Sequence, residues 1–298
     1  MVNISGIKRD IILAPYTTYK IGGKADLFFI ASTKKELINT IIEAKEKSIP
    51  YFILGAGANI LIGDQGYRGL VIKNEAKEIK FNNDAVIAES GVMISDLIEI
   101  TVSRNLSGLE HFVGIPSTVG GALWQNLHFL SPDRTKTIFI ADIVESAEII
   151  DENNNLLKVD RDFFNFDYDY SILHDRKLVV TEVSFRLAQK DKHVIEHQIQ
   201  ENLKWRSEKQ PQLDQFPSCG SVFKKIDGVG AGRLIEKAGL KGYAIGGAKV
   251  SEKHANYIVN TGPATAQNVV SLIRFIQDKV KVETGYELKP EINFVGEF

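Results

Sequence analysis

Short apolar runs alternate along the chain with amphipathic stretches and turn-forming clusters, and their spacing separates strands from helices. Leu27-Phe28-Phe29-Ile30 is a continuous apolar run of strand length. Thr33 with Glu36 three residues on forms a capping-box pattern. Leu37, Ile38, Ile41 and Ile42 then recur at helical spacing until Pro50 closes the segment. Tyr51-Phe52-Ile53-Leu54 is a second strand, so the pattern predicts a β-α-β unit with parallel pairing of its two strands. From Gly69 short strands follow, Leu70-Val71-Ile72 and Ala85-Val86-Ile87-Ala88, then a helix after Ser95 that carries Leu97, Ile98, Thr101 and Val102 and ends near Asn105.

Val179, Thr181, Val183, Phe185 and Leu187 fall on one face at period two, and a turn at 151–155 separates strands as in a meander. Near Ala188 the composition becomes charged and polar, with a helix predicted through Ile195, Ile199, Leu203 and Trp205. The expected boundaries are 1–68, 69–188 and 189–298. In the last segment Leu234, Ile235 and Ala238 mark a short helix stopped at Gly239. His254 to Asn260 reads as a strand, and Val269, Leu272, Ile273, Ile276 and Val280 line a long helix from about Ala266 to Gly285. Residues 291–295 form a terminal strand.

Composition narrows the function classes. A chain of 298 residues can build two or three domains. With 36 Lys+Arg against 38 Asp+Glu, no basic excess supports binding of nucleic acid or a membrane surface. A single cysteine, Cys219, excludes an intrachain disulfide framework and suits a reducing compartment. Lys8, Arg9 and Asp10 interrupt the opening thirteen residues, which therefore lack a signal-peptide core. A soluble cytoplasmic protein is expected.

Several clusters could carry chemistry. Gly114-Ile115-Pro116-Ser117-Thr118-Val119-Gly120-Gly121-Ala122 packs three glycines, a proline and two hydroxyls into nine residues. Close backbone approach, hydroxyl donors and amides at a helix start are the parts of a pyrophosphate cradle, and also of an ordinary glycine-rich turn. Gly55-Ala56-Gly57-Ala58-Asn59 follows a strand, where a phosphate loop is useful. Ile60 breaks the dinucleotide fingerprint and disfavours a Rossmann domain. Ser221, in Cys219-Gly220-Ser221-Val222-Phe223, is not in a nucleophile elbow. Glu291 begins an otherwise apolar strand, a setting that favours the protonated carboxyl. Cys219 has no evident base and reads as a packing residue. His193 and His197 stand at i, i+4 without an acidic partner motif, the pattern of a solvated helix face.

Ordered blocks along nearly the whole chain resemble the UDP-N-acetylenolpyruvoylglucosamine reductase family in its shorter subtype. They are Thr18-Tyr19-Lys20-Ile21-Gly22-Gly23, Leu54-Gly55-Ala56-Gly57-Ala58-Asn59, Leu106-Ser107-Gly108-Leu109-Glu110, the stretch at 114–122, Pro217-Ser218-Cys219-Gly220-Ser221-Val222-Phe223-Lys224, Ala231-Gly232-Arg233-Leu234-Ile235-Glu236, and residues 246–256. The resemblance implies an α+β fold: a two-part FAD-binding region of the vanillyl-alcohol-oxidase/PCMH type, then a C-terminal α+β substrate domain. It implies FAD as cofactor, and NADPH and a UDP-sugar as small-molecule partners. In the reaction that the resemblance implies, hydride passes from the flavin to the enolpyruvyl ether of UDP-N-acetylglucosamine, giving UDP-N-acetylmuramate for peptidoglycan. The FAD contacts carried over are Tyr19, Gly55, Ala56, Gly57, Ala58, Asn59, Ile115, Pro116, Ser117, Thr118, Gly120, Gly121 and Asn126. Ser221 takes the place of the proton donor and Glu291 that of the carboxyl that stabilises the charge formed. Tyr168, Lys224, Arg233, Lys249, His254 and Asn256 fall at substrate-contact positions.

The departures cluster. Where the family has an arginine in Tyr-Arg-x-Ser, the chain has Tyr168-Asp169-Tyr170-Ser171, so an acid stands at a catalytic position. Asn126-Leu127-His128-Phe129-Leu130-Ser131 replaces an Asn-Ala-Gly-Ala-Tyr-Gly run, Ser117 replaces a glycine, and Lys249 replaces a glutamine. Either Arg134 or Arg176 supplies the missing cation, or the substrate differs. The alternative readings are an FAD-dependent oxidoreductase of the same fold acting on another sugar or alcohol, and a non-catalytic flavin- or nucleotide-binding protein.

Overall fold

The period-two pattern predicted at 179–187 holds from Thr181 onward in the strand Val179–Arg186, whereas a register shift against the neighbouring strand leaves Val179 half-buried and buries Val180. Thr181, Val183 and Phe185 are fully buried while Glu182 and Ser184 stay half-exposed. The computed structural model describes residues 6–82, 85–226 and 228–298, so the first five residues of the opening stretch lie outside it. Six α-helices occur among the described residues: α1 Lys34–Glu46, α2 Ile94–Val102, α3 Val119–Gln125, α4 Lys192–Lys209, α5 Ala231–Lys237 and α6 Ala266–Thr284. The chain divides into two compact units, one of Met1–Gly6, Phe29–Ala56 and Ile72–Arg206, the other of Ile7–Phe28, Gly57–Val71 and Ser207–Phe298.

The first unit is built on a five-stranded antiparallel sheet in the order Leu156–Asp160, Val144–Ile150, Val179–Arg186, Ala85–Glu89, Ile79–Asn82. The predicted turn at 151–155 joins the first two of these strands. Asp151 accepts hydrogen bonds from the Asn153 and Asn155 amides at 2.9 and 2.8 Å. Helix α2 buries Leu97, Ile98 and Val102, and α3 buries Val119, Ala122 and Leu123, all in one core with Phe112 and Phe185, while buried Thr101 donates to the Leu97 and Ile98 carbonyls of its own helix. The Thr33 cap before α1 forms, with the Glu36 return bond displaced by one residue. Thr33 accepts from the Glu36 amide at 3.1 Å, and the Glu36 carboxylate returns to the Ser32 amide at 2.8 Å.

The β-α-β expectation needs one correction. The strands Lys24–Ala31 and Tyr51–Leu54 are not neighbours, because Tyr67–Asn74 lies between them in the sheet. Leu70, Val71 and Ile72 are all fully buried. A run with apolar residues on both faces belongs in the interior of a sheet, so it displaces the direct pairing.

The second unit packs α5 and α6 with a small antiparallel sheet, Ala244–Ile245, Ala248–Val250 and Ile258–Asn260. Helix α6 buries the predicted stripe of Val269, Leu272, Ile273, Ile276 and Val280. Its start is unusually well satisfied. Thr265 and Asn268 exchange side chain-to-backbone bonds at 3.1 and 3.2 Å, and the Asp64 carboxylate accepts from the Ala266 and Gln267 amides at 2.8 and 2.9 Å. The strand Asn293–Val295 pairs parallel with Ile60–Ile62. The strand read at 254–260 shortens to Ile258–Asn260. Ser251 Oγ accepts from the Lys253 and His254 amides, and His254 Nδ1 from the Asn256 amide, which curls this stretch into a turn.

Replacing the cap of α6, Thr265→Ala, is expected to cost about 1 kcal/mol. The shift of the urea unfolding midpoint at unchanged slope measures it.

Candidate active site

In the first unit the glycine-rich stretch at 114–122 becomes a loop followed by α3. Thr118 caps that helix, its Oγ1 accepting from the Gly121 amide at 3.2 Å. The Val119 and Gly120 amides donate to the carbonyls of Val92 and Ser90, both at 2.8 Å. Amides at the start of α3 are therefore committed within the protein, contrary to the expectation that they receive the ligand's negative charge. The Ser117 and Thr118 amides have no partner among the described residues. A Cβ on Gly55 would lie 2.6 Å from Thr118 Oγ1, so Gly55 and Thr118 meet at a distance that admits no larger residue.

Residues 55–59 present their amides by a simple constraint. Lys73 Nζ donates to the Gly55 carbonyl at 2.6 Å. In the second unit Thr18 donates to the Gly57 carbonyl from its amide at 3.1 Å and its hydroxyl at 3.3 Å, and the Asn293 amide donates to the Asn59 carbonyl at 3.0 Å. In a trans peptide the N–H points opposite to the C=O. The Ala56 and Ala58 amides thus point away from these anchors. Gly57 has φ +66, and a Cβ there would lie 2.5 Å from the Tyr16 carbonyl oxygen. Two buried polar atoms, Tyr19 OH and Asn59 Nδ2, have no hydrogen-bond partner among the described residues. Burial, with the Cys219 thiol nearby, holds the Tyr19 phenol well above its usual pKa, so it is a donor. Outward amides, glycines where a Cβ would clash and orphaned donors fit a pyrophosphate-bearing cofactor.

A second cluster in the first unit contains the departures. Asn126 ends α3 in the left-handed conformation. Its Nδ2 donates to the Asp167 carbonyl at 2.9 Å and its Oδ1 accepts from the Ala141 amide at 3.3 Å. Asp169 is fully buried at its side chain, and its Oδ1 lies 3.6 Å from His128 Nδ1. The Tyr168 ring packs on the His128 ring at 4.5 Å. Neither arginine supplies the missing cation at Asp169. Arg176 is held bidentate by Glu152 at 3.0 and 2.9 Å. Arg134 lies over Phe129 and Trp205 at 5.6 and 5.5 Å, and Phe129 projects from the opposite face of its strand to His128. His128 went unselected in the sequence, although a histidine and an acid both standing at departures from one motif set was a readable signal.

In the second unit, Asn256 organises the segment that carries Ser221. Its carbonyl accepts from the Val222 amide at 2.8 Å, its Oδ1 from the Phe223 amide at 3.0 Å, and its Nδ2 donates to the Phe223 carbonyl at 2.9 Å. On the other side the Glu291 amide donates to the Val222 carbonyl at 2.8 Å and the Lys224 amide to the Lys289 carbonyl at 2.9 Å. Ser221 and Glu291, 70 positions apart, thereby flank the Val222–Glu291 bond, both half-buried. Cys219 is buried, and desolvation followed by the Glu291 carboxylate pushes its thiol up well above the usual pKa. It is an inert packing residue. His254 is pushed down, chiefly by burial, and stays neutral. A Cβ on Gly232 would touch its ring at 3.4 Å, which places the first turn of α5, with exposed Arg233, beside His254. Lys249 pairs with Glu252 at 2.5 Å, and Lys224 is exposed. His193 stands 91% exposed on α4, and among the described residues no group of three His, Cys, Asp or Glu side chains could hold a metal ion.

Comparison with known proteins decides the family. A model of an FAD binding domain matches residues 25–160, and one of the C-terminal domain of UDP-N-acetylenolpyruvoylglucosamine reductase matches residues 210–295. The reductase of Caldanaerobacter subterraneus is 42% identical over 283 residues, covering 95% of this chain and 91% of its own. The chain belongs to the UDP-N-acetylenolpyruvoylglucosamine reductase family. The reductase of Clostridium botulinum is 37% identical over the full 298 residues, 95% of its length. A crystal structure of the Thermus caldophilus member superposes with a TM-score of 0.81 at 30% identity, covering 97% of this chain and 98% of that one. As a family member the chain is an FAD-dependent oxidoreductase with the expected α+β fold, an FAD-binding region followed by the C-terminal domain. Among the described residues no helix is long and apolar enough to cross a membrane.

Two outcomes follow from the packing. Gly55→Ala should fold yet lose most of its flavin, read as the ratio of flavin to protein absorbance after purification. Cys219 should react with a thiol reagent at neutral pH only after unfolding, because its raised pKa keeps the thiol protonated throughout that range. Native and denatured labelling rates check it.

Proposed function

We propose that this chain reduces UDP-N-acetylglucosamine enolpyruvate to UDP-N-acetylmuramate with NADPH in the cytoplasm, a step of peptidoglycan precursor synthesis. Full-length relatedness to reductases of that name carries the reading. The pairing of the Ser221 and Glu291 segments through two backbone hydrogen bonds supports it. Bound FAD would supply the chemistry of accepting a hydride from NADPH and delivering it to the enolpyruvyl carbon.

Residues 55–59 and 115–118 would hold the cofactor's pyrophosphate through outward amides and hydroxyls, with Tyr19, Gly120, Gly121 and Asn126 lining the remainder. Ser221 would hold the proton that the substrate's C2 takes up, its hydroxyl following a glycine and standing clear of local bulk. Glu291 would hydrogen-bond the charge that develops on the substrate's carboxylate side, where preorganised groups lower the barrier most. Tyr168, Lys224, Arg233, Lys249, His254 and Asn256 would bind the substrate, Asn256 by holding the Ser221 segment in place. The proposed division is a first FAD-binding part at 1–68, a second at 69–188 and a substrate domain at 189–298. A flavoenzyme acting on another sugar or alcohol is the second reading, favoured by Asp169 at the arginine position.

Anaerobic flavin absorbance separates the two readings. NADPH should bleach the flavin and the enolpyruvyl substrate should restore its colour. Ser221→Ala should keep the bleaching and slow the recolouring by roughly 10²–10⁴, the usual range for a proton donor. Recolouring by another sugar or an aldehyde, and not by this substrate, would overturn the proposal.

A further inference from the structure

In the first unit a cation stands directly behind Gly55. Lys73 lies near the end of the strand Tyr67–Asn74, the sheet neighbour of the strand Tyr51–Leu54 that runs into Gly55. Its Nζ donates to the Gly55 carbonyl at 2.6 Å. The side chain is half-buried, with Ile72 before it and Asn74 after it both buried. Among the described residues the ammonium meets no carboxylate, and Glu75, the acid nearest in sequence, pairs with Lys77 at 3.9 Å instead. A cation drawn out of water without a counter-ion destabilises the folded chain unless an anion joins it.

The groups on the other side of Gly55 are uncharged. Lys73 holds the oxygen of the Gly55–Ala56 peptide, so the N–H of that peptide, on Ala56, points away from the ammonium. A cation at the carbonyl polarises the peptide and makes its N–H a stronger donor. The Ser117 and Thr118 amides have no partner among the described residues, and Gly55 is pressed so close to Thr118 Oγ1 that a Cβ would lie at 2.6 Å. The first-turn amides of α3 are committed to Val92 and Ser90. The cradle thus offers a pyrophosphate dianion aimed N–H groups with no charge of their own.

We propose that Lys73 is the counter-charge for the cofactor's pyrophosphate, acting through the Gly55–Ala56 peptide. It is a positioning residue, which anchors the loop and polarises the amide that the loop presents. The inference rests on the pyrophosphate placement at residues 55–59 and 115–118 proposed above, and it adds the charge those residues lack. Burial holds the Lys73 pKa below that of an exposed lysine, with Glu75 acting to raise it and Lys77 to lower it. The charge is present below that pKa and is lost as pH rises through it, so affinity for the dianion falls in the same direction.

The test is equilibrium dilution of FAD-loaded protein, with release read from the recovery of flavin fluorescence. At neutral pH Lys73→Met should weaken FAD by about tenfold to a hundredfold, the scale of one lost charge facing a dianion near a protein surface. Lys73→Gln keeps a donor for the Gly55 carbonyl without the charge and should be as weak. Lys73→Arg keeps both and should bind nearly as wild type does. From neutral pH to about pH 10, wild-type affinity should fall more steeply than that of the arginine variant, whose guanidinium stays charged. That comparison uses no uncharged variant, so it decides the matter even where Lys73→Met fails to fold. Glutamine binding as tightly as arginine would overturn the proposal, since an anchor alone would then suffice, and so would coincident pH profiles for wild type and Lys73→Arg. Gly55→Ala is measured alongside. If it keeps its FAD, the pyrophosphate placement fails and this inference with it, whereas loss of FAD there with wild-type binding in the uncharged Lys73 variants sinks the inference alone.

Discussion

Much of the first unit's functional geometry depends on the approach of Gly55 to Thr118. The threonine hydroxyl caps α3, the helix carries Val119, Ala122 and Leu123 into the core, and the same hydroxyl would stand 2.6 Å from a Cβ on residue 55. One atom thus sets both the start of a helix and the clearance of a loop. The amides of the first helical turn are spent on Val92 and Ser90, so any anion held here relies on the loops that precede the helix. The macrodipole of a seven-residue helix contributes little beside such aimed N–H groups.

The second unit solves a different problem, that of bringing together residues 70 positions apart. Asn256 does so by offering one segment its carbonyl, its Oδ1 and its Nδ2 at once. An amide side chain that saturates a neighbouring backbone in this way cannot also move freely. The rigid placement of Val222 and Phe223 fixes Ser221 on one side and, through the Val222 carbonyl, Glu291 on the other. Buried Cys219 and the Tyr19 phenol, both held in their neutral forms by burial, add apolar packing to this unit.

Elements with strong local signals were legible from the chain. The Thr33–Glu36 cap, the α6 stripe and the alternation at 181–187 each depend on neighbours within a few residues. Long-range choices were not. Nothing local to residues 24–54 announces that Tyr67–Asn74 will enter the sheet between the two strands. The turn at 254–257 depends on Ser251 and His254 preferring backbone partners to a ladder. At the site, the motif residues could be named from the sequence. That Asp169 would face His128 rather than Arg134 or Arg176 follows only from the strand's alternation and from Glu152 holding Arg176.

The way the second unit is assembled has a consequence for synthesis. Residues 7–28 and 57–71 are completed by residues 207–298. Asp64 waits for an amide 203 positions later, and the Tyr19 carbonyl for a side chain 241 positions later. At about 5–20 residues per second, that leaves roughly 10–40 s on the ribosome before Asp64 can meet its helix. Throughout that interval Leu61 and Ile62, fully buried in the finished protein, have no native strand to pair with. The order of segments thus leaves an apolar strand without its native partner until nearly the whole chain has been made.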